Sequence, residues 1–367
     1  MVVSARGDER GLRVLTDYYY RFTYSLQGIT SRLRFLDRDS ANANRPPLPV
    51  QRRLQLLRNG FLSESEAIYD LQNGAAGDYL SDYARFHRCA INRQPHLLSD
   101  KVCFYWLMRA AGAPTPHIFA TIENGIATTL DEHARSLSIA ASLCEAGRSV
   151  VKPRDGTNGR GMFFVTATAD GALAVNDQPN GALAMMQSLA EGAFIICERI
   201  DQHAYAARIF PHTVNTLRIM TYIDPANGEA FIGRVVHRFG SARSGIVDNW
   251  SAGGLSAAVD LATGVMEEAA GHPAKHGQTR YRAHPDTGEA IAGVRIPRWD
   301  EMIGGVLRLA QLMPGNPYIG WDVLATADGY SIIEGNTTPD VNLVQVHGPL
   351  LADERIRRFY KHHNVIH

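Results

Sequence analysis

The densest chemical pattern in the sequence lies between Tyr318 and Asn336, where Asp322, Glu334 and Asn336 punctuate two strand-like apolar runs divided by Asp328-Gly329. Asp-Gly between such runs signals a β-hairpin. A turn pivoting on Asp328 sets Asp322 opposite Glu334, and Asn336 projects from the same face because strand side chains alternate. Like charges facing each other across a ladder destabilise a sheet. A compensating partner is therefore expected, and a hard divalent cation is the simplest. Magnesium takes one or two carboxylates, keeps several waters and completes its octahedron with phosphate oxygens. Asp322, Glu334 and Asn336 offer such oxygens without closing the shell. Two acids on a solvent-facing strand would give the same pattern, but the flanking Trp321, Val323, Ile332 and Ile333 point to a half-buried hairpin.

A second pattern complements the first. Residues 149–165 read as a strand ending at Lys152, a loop containing Gly156, Asn158, Gly159 and Gly161, and another strand. Glycines permit positive φ, so successive backbone N–H groups can turn toward an anion. Lys152 ends an apolar run, where a nucleotide phosphate would partner its ammonium. Neither a Walker A loop nor a GxGxxG loop is present, and a plain turn would also use these glycines. Residues 194–200 form a buried-type strand that turns charged at Glu198 and Arg199. It leads through Ile200 to His203, and its free backbone edge could read the amino edge of adenine. Arg218 and Arg234 interrupt apolar strands, and an unpaired buried guanidinium is costly. Each therefore needs either a ligand anion or a structural salt bridge. Asn249, Gly253 and Gly254 make a further polar segment able to approach a ligand.

The elements that must carry these groups follow from composition and period. The chain has 367 residues, a fifth of them charged, with 37 basic and 37 acidic side chains. That balance lacks the basic excess of a non-specific nucleic-acid binder. No apolar run is long enough to span a bilayer, and no secretory signal is visible, so a cytoplasmic chain is the default expectation. Cys89, Cys103, Cys144 and Cys197 form no CxxC pair and read mostly as buried thiols. Residues 17–36 and 50–83 show helical spacing, broken by a polar stretch at 37–49. Ser63 and Glu66 suggest a capping box. The aromatics Tyr18, Tyr19, Tyr20, Phe22 and Tyr24 read as packing groups.

A new helix opens at Ser99-Asp100-Lys101 and stops at Gly112. Beyond it come β-rich runs at 149–152, 162–165, 194–198, 217–223, 231–236, 255–260, 318–325 and 330–334, with a helix around 299–312. Residues 166–180 and 271–293 read as loops. The predicted class is α+β with antiparallel strands. Three regions are expected: a helical part at 1–98, a part with the glycine loop at 99–200, and a C-terminal part with the acidic hairpin at 201–367.

In this order, the pieces resemble the ATP-grasp superfamily. The marks are the helix opened by Ser99-Asp100-Lys101, Val151-Lys152-Pro153 with its glycine loop, Glu198 closing a strand, the strand arginines, and Asp322 followed by Glu334 and Asn336. Arg58-Asn59-Gly60-Phe61, Tyr79-Leu80-Ser81-Asp82-Tyr83, the run from Glu198 to His203, and Val214 to Arg218 further resemble the sugar-transfer associated branch.

The resemblance implies two α+β subdomains clasping ATP, with magnesium held by Asp322, Glu334 and Asn336. It puts Lys101 among the nucleotide contacts and Lys152 on the α- and β-phosphates, under the loop of Gly156, Asn158, Gly159 and Gly161. It sets adenine against Glu198, Arg199 and Ile200, with the ribose near His203. Arg218 and Arg234 would lie beside the γ-phosphate. Many ATP-grasp ligases carry an arginine two residues before the metal-binding Asp, where this chain has Gly320, and Arg218 is the candidate to replace it. The implied reaction is ligation of a small-molecule carboxylate to an amine acceptor through an acyl phosphate. The alternatives are a phosphotransferase acting on a hydroxyl, with His347 or Asp340 as base, and a non-catalytic nucleotide-binding module. Sugar acids and amino acids are both open as substrates, and the oligomeric state is not legible.

Overall fold

The computed structural model describes residues 28–42, 45–69, 71, 75–156, 159, 161–168, 171–176, 178, 181–277 and 279–367. The early aromatic run and Asn158 lie outside these. Among the described residues fourteen strands form two seven-stranded sheets, and every named strand pair is antiparallel. The fold is therefore α+β, as its composition predicts.

The first sheet has the order β3-β2-β1-β7-β4-β5-β6. Its strands are β1 (Ile118–Glu123), β2 (Ile126–Thr129), β3 (Ser136–Leu137), β4 (Arg148–Pro153), β5 (Phe163–Ala167), β6 (Leu173–Val175) and β7 (Ala193–Glu198). Strand alternation divides its residues between two faces. Ile122, Val151, Val165 and Ile196 pack with Leu143 and Leu189, from the helices Ile139–Ala146 and Gly181–Leu189. The opposite face carries Val150 and Cys197, which line a cleft.

The second sheet has the order β12-β11-β10-β9-β8-β13-β14. It comprises β8 (Leu217–Ile223), β9 (Ala230–Phe239), β10 (Leu255–Val259), β11 (Met266–Gly271), β12 (Arg280–Tyr281), β13 (Tyr318–Thr326) and β14 (Gly329–Asn336). Both faces are covered, which explains why β8 and β13 read as nearly unbroken apolar runs. On one face Ile219, Trp321 and Val323 pack with Met302 and Val306 of the helix Trp299–Gln311. On the other, Met220, Tyr222 and Tyr318 meet Phe359 and Tyr360 of the helix Glu354–His362 and the N-terminal residues Phe61 and Leu80.

The helix Lys101–Ala110 begins where Asp100 caps it, accepting from the N–H groups of Val102 and Cys103. Phe104 and Met108 join the core of the second sheet. Tyr105, on another side of the same helix, packs with Ile118, Val150 and Ile195 of the first.

Several expectations need correction. A helix covers 28–41, continuing through Asp37 where a break was expected. No capping box forms. Buried Asp39 takes the Ser63 N–H and hydroxyl, while Arg52 holds the Glu66 carboxylate at 2.7 Å. The stretch 166–180 contains β6, and 271–293 contains β12 and the helix Pro273–His276. Edge strands this short carry too few side chains to show alternation. β11, Met-Glu-Glu-Ala-Ala-Gly, has helix-forming composition, yet it is a strand because β10 and β12 pair with it on both sides. Among the cysteines, Cys89 and Cys197 are buried, Cys103 is half-buried and Cys144 is exposed. No helix among the described residues is long and apolar enough to cross a membrane.

Two motif segments prove to be joints. Arg58-Asn59-Gly60-Phe61 ends the helix Val50–Arg58 in a turn with Gly60 at φ +81°. The turn is fixed by the Tyr83 N–H on the Gly60 carbonyl and by Asp82, which accepts from the Leu62 N–H and the Ser65 hydroxyl. Asn215 is a second joint. Its amide nitrogen donates to Gln202 and to the Phe210 carbonyl, at 2.9 and 2.7 Å, and its oxygen accepts from the Gly240 N–H. Asn215→Ala would leave these buried groups unsatisfied, and a loss of about 2–4 kcal/mol in urea-unfolding stability is expected.

Candidate active site

The acidic hairpin pairs Asp322 with Glu334 and Gly320 with Asn336. The pairing matches the sequence reading, but the route to it differs. The turn is Ala327-Asp328, because Thr326 pairs with Gly329 and the register holds through Val323 and Ile332. A β-bulge then places Ile333 as an extra residue, and this one-residue shift brings Glu334 opposite Asp322. Bulges re-aim side chains next to functional sites. Here the bulge puts both carboxylates into one place.

What offsets their repulsion is on the neighbouring strands. Arg218 of β8 donates through Nε to Asp322 Oδ1 at 2.6 Å, and Arg238 of β9 donates through Nη2 to Asp322 Oδ2 at 2.9 Å. Arg238 is held in turn by the Thr216 hydroxyl and by Asp248, whose Oδ2 lies 3.4 Å from Nε. Asp248 accepts from the backbone N–H and hydroxyl of Thr216. Guanidinium groups, rather than a cation alone, thus answer the charge of Asp322. Burial pushes the Asp322 carboxyl up, but Arg218 and Arg238 outweigh burial and hold it below its ordinary value. Glu334 goes the other way. Burial and the Asp322 carboxylate raise it, against the opposing pull of Lys101 and Lys152.

Gly320 is explained by the same neighbours. A Cβ there would stand 2.5 Å from Pro339 Cβ and 3.1 Å from Arg218 Cδ. The stem of Arg218 fills the space over residue 320, so the guanidinium reaches the acidic centre from the adjacent strand.

Opposite the hairpin stand the glycine loop and two lysines. Lys101, buried at the start of its helix, donates from Nζ to the Gly156 carbonyl at 2.7 Å. Burial lowers its pKa, Glu334 opposes that shift and Lys152 adds to it. Gly159 and Gly161 adopt φ +67° and +69°, the left-handed region expected of such a loop. A Cβ on Gly159 would lie 2.7 Å from Val247 Cγ1, so the loop reaches across to the segment following β9.

The cleft between the sheets is lined by Lys152, Gly156 and Cys197 from one side and by Arg218, Leu324 and Glu334 from the other. Glu198, Arg199 and Ile200 also line it. There the Glu198 carboxylate accepts from the His117 N–H at 3.1 Å, and Arg199 lies 5.0 Å over the ring of Phe164. A second cavity opens from the same centre, sharing Lys101, Gly156, Arg218, Glu334 and Asn336 with the first.

Other candidates fall elsewhere. Arg234 does not line either cavity among the described residues. Its Nη2 meets the Pro349 carbonyl at 3.4 Å. Arg238, four residues along the same strand, lines the cleft where Arg234 does not. The sequence signal was there, since β9 continues past Val236 to Phe239 and Arg238 interrupts it just as Arg234 does. His203 is the N-cap of the helix Ala204–Ile209, accepting the Tyr205 N–H on Nδ1. It is absent from the cleft lining. His347 is half-buried against Ser256 and Arg280, and desolvation there lowers its pKa to about 3. It is therefore neutral and not at the centre. Asp340 lines both cavities but is paired with Arg85 at 3.1 Å. Asn249 lines the cleft while its side chain caps the turn Trp250–Ala252, and Gly254 is a packing glycine whose Cβ would stand 2.7 Å from the Phe239 carbonyl.

Two sheets facing each other across a lysine-bearing glycine loop and an acidic hairpin define the ATP-grasp class. The family described as sugar-transfer associated ATP-grasp matches residues 84–359, and the chain belongs to it. ATP-grasp proteins bind ATP, typically with magnesium. No curated protein matches the chain. Among solved structures, an ADP complex of N5-carboxyaminoimidazole ribonucleotide synthetase is similar at 11% identity and TM-score 0.39, over 67% of this chain and 46% of that one. The ATP-grasp ligase PsnB with precursor peptide PsnA2 and AMPPNP gives 16% and 0.35, over 77% and 61%. Biotin carboxylase from Campylobacter jejuni gives 12% and 0.42, over 72% and 47%. This chain spans less than two thirds of each of these structures, and none of them bears on which substrates it uses.

The two facing carboxyls should respond oppositely to neutralisation. Asp322→Asn leaves two buried guanidiniums short of a partner and is expected to cost about 3–5 kcal/mol. Glu334→Gln is expected to stabilise the ligand-free chain at neutral pH. A raised folded pKa means that the Glu334 contribution is intact below the ordinary glutamate value and is lost as pH rises through the folded value. The advantage of Glu334→Gln should therefore vanish on acidification, which urea unfolding between about pH 4 and pH 8 would measure.

Proposed function

We propose that the chain activates a small carboxylate with ATP and passes the acyl group to an amine. A carboxylate oxygen of the substrate attacks the γ-phosphorus, the bond to the β–γ bridging oxygen breaks, and ADP leaves with the electron pair. The amine then attacks the acyl-phosphate carbonyl and gives up a proton. Phosphate departs and an amide remains. The observation that carries this reading is the meeting of two cavities at one centre where Arg218, Lys101 and Glu334 converge. A nucleotide in the first cavity would present its terminal phosphate there, and a second substrate would approach it from the other cavity.

The residues have separable roles. The backbone edge at Glu198 to Ile200 would receive adenine. Lys152 and the loop of Gly156, Gly159 and Gly161 would hold the phosphates, with Lys101 fixing the loop through the Gly156 carbonyl. Arg218 would neutralise charge developing on the transferred phosphoryl group, with Arg238 keeping the Arg218–Asp322 pair in place. Closure of the loop over the cleft would keep water from the acyl phosphate. In this reading the segments 99–200 and 201–367 are the two halves of the clasp, and described residues between Arg34 and Leu98 wall the second cavity.

The donor set suits magnesium. Asp322, Glu334 and Asn336 present only hard oxygens, and the Asn336 amide nitrogen donates to the Gly320 carbonyl, leaving its oxygen as the donor atom. The raised Glu334 carboxyl is a group that a bound cation would return to its charged form. When bound, magnesium would supply positive charge against the phosphate oxygens.

Incubation of the full chain with ATP, magnesium and pools of sugar acids, amino acids and amines tests the reaction. ADP, free phosphate and a condensed mass are the expected products. A phosphorylated acceptor with no free phosphate would mean phosphotransfer instead. Glu334→Ala should lower turnover by about a hundredfold or more while AMPPNP binding changes far less. Normal turnover of that variant across magnesium concentrations would sink the site assignment.

A further inference from the structure

The second cavity is lined by Arg218, Glu334 and Asn336 and also by Arg34, Arg38 and Arg85. Arg34 and Arg38 stand one turn apart on the helix 28–41, where residues four apart share a face and like charges repel. Neither forms an ion pair with a carboxylate among the described residues, although Asp37 lies between them in sequence and lines the same cavity. Arg38 lies 3.7 Å from the ring centroid of Phe86, and Arg85 lies 4.7 Å from the same centroid. One phenyl ring thus carries two guanidiniums. Arg85 reaches Asp340, yet its Nε is buried without a hydrogen-bond partner.

Asp37 and Asp155 also line the cavity, whereas Asp82 and Glu64 are held by other partners. Asp82 accepts from Leu62 and Ser65. Glu64 accepts from Asn42 at 2.7 Å and lies 3.4 Å from His272. Arg34 and Arg38 thus bring positive charge that no ion pair among the described residues takes up. The adjoining His87 imidazole registers it, since burial lowers its pKa and Arg38 and Arg34 lower it further.

We propose that this cavity receives the acyl substrate, and that the substrate carries a second anionic group held by Arg34 and Arg38 while its reacting carboxylate lies at Arg218 and Asn336. This rests on the ligase reading above. The second group is a carboxylate or a phosphate, because a guanidinium fork recognises both.

Matched probe pairs decide the matter. Butanoate against glutarate tests a second carboxylate, and glucuronate against glucuronate 1-phosphate tests a phosphate, each titrated by calorimetry into the full chain saturated with AMPPNP and magnesium. In at least one pair the dianion should bind about tenfold or more tightly than its monoanion, the gain of one or two charge-assisted hydrogen bonds. The double variant Arg34→Gln/Arg38→Gln should erase that preference and leave AMPPNP affinity unchanged. Arg32→Gln, on the same helix but outside the cavity lining, should keep the preference. Absence of a dianion preference in both pairs, or an equal loss in Arg32→Gln, overturns the proposal. AMPPNP that binds normally beside such a result leaves the nucleotide site standing, whereas failure of AMPPNP to bind overturns both.

Discussion

A carboxylate buried between two guanidinium groups organises the centre of this molecule. Asp322 receives Arg218 on one oxygen, from the strand beside its own, and Arg238 on the other, from one strand further along the sheet. Charges removed from water in this way gain little net stability, because desolvation cancels most of the attraction. Their value is positional. Each guanidinium is fixed in direction by its partner, and a sheet three strands wide holds all three groups at one depth. Arg238 is further anchored by Asp248 and Thr216. The result is a rigid basic surface beside a single carboxyl, Glu334, that has no guanidinium of its own.

That asymmetry explains the rest of the cleft. Facing Glu334 are ammonium groups, which are compact charges on flexible stems and can shift when a ligand arrives. Lys101 is tied to the loop through the Gly156 carbonyl. The fixed half of the site therefore belongs to the second sheet, and the adaptable half to the loop and helix start of the first. Division of a site between a rigid wall and a closing loop suits a reaction whose intermediate must be shielded from water.

Much of this was legible in the sequence, for identifiable reasons. Asp328-Gly329 between β-type runs announced the hairpin, and Asp322 facing Glu334 emerged correctly although the assumed pivot was half a residue off. The bulge at Ile333 restored the register, and no residue type there advertises it. Lys152 with its glycines, and Arg218, were visible because charge inside an apolar run is conspicuous. Arg238 was missed because the strand was ended too early. Arg234 and His203 were assigned by analogy of position, and packing put them elsewhere. The Ser63–Glu66 capping signal failed because buried Asp39 and the distant Arg52 took both side chains. Interactions between residues far apart in sequence override local grammar, and the same limit hid Arg34 and Arg38. Arg34 lay in a run of helical spacing and Arg38 in the polar stretch expected to break it, and neither stood out until the fold brought them to a cavity.

The helix Lys101–Ala110 has a mechanical consequence. Phe104 is rooted in the core of one sheet and Tyr105 in that of the other. The jaws of the clasp share an axle, and one end of that axle bears the lysine that latches the lid. Any widening of the gap would have to carry this helix, and with it the bond from Lys101 to the Gly156 carbonyl.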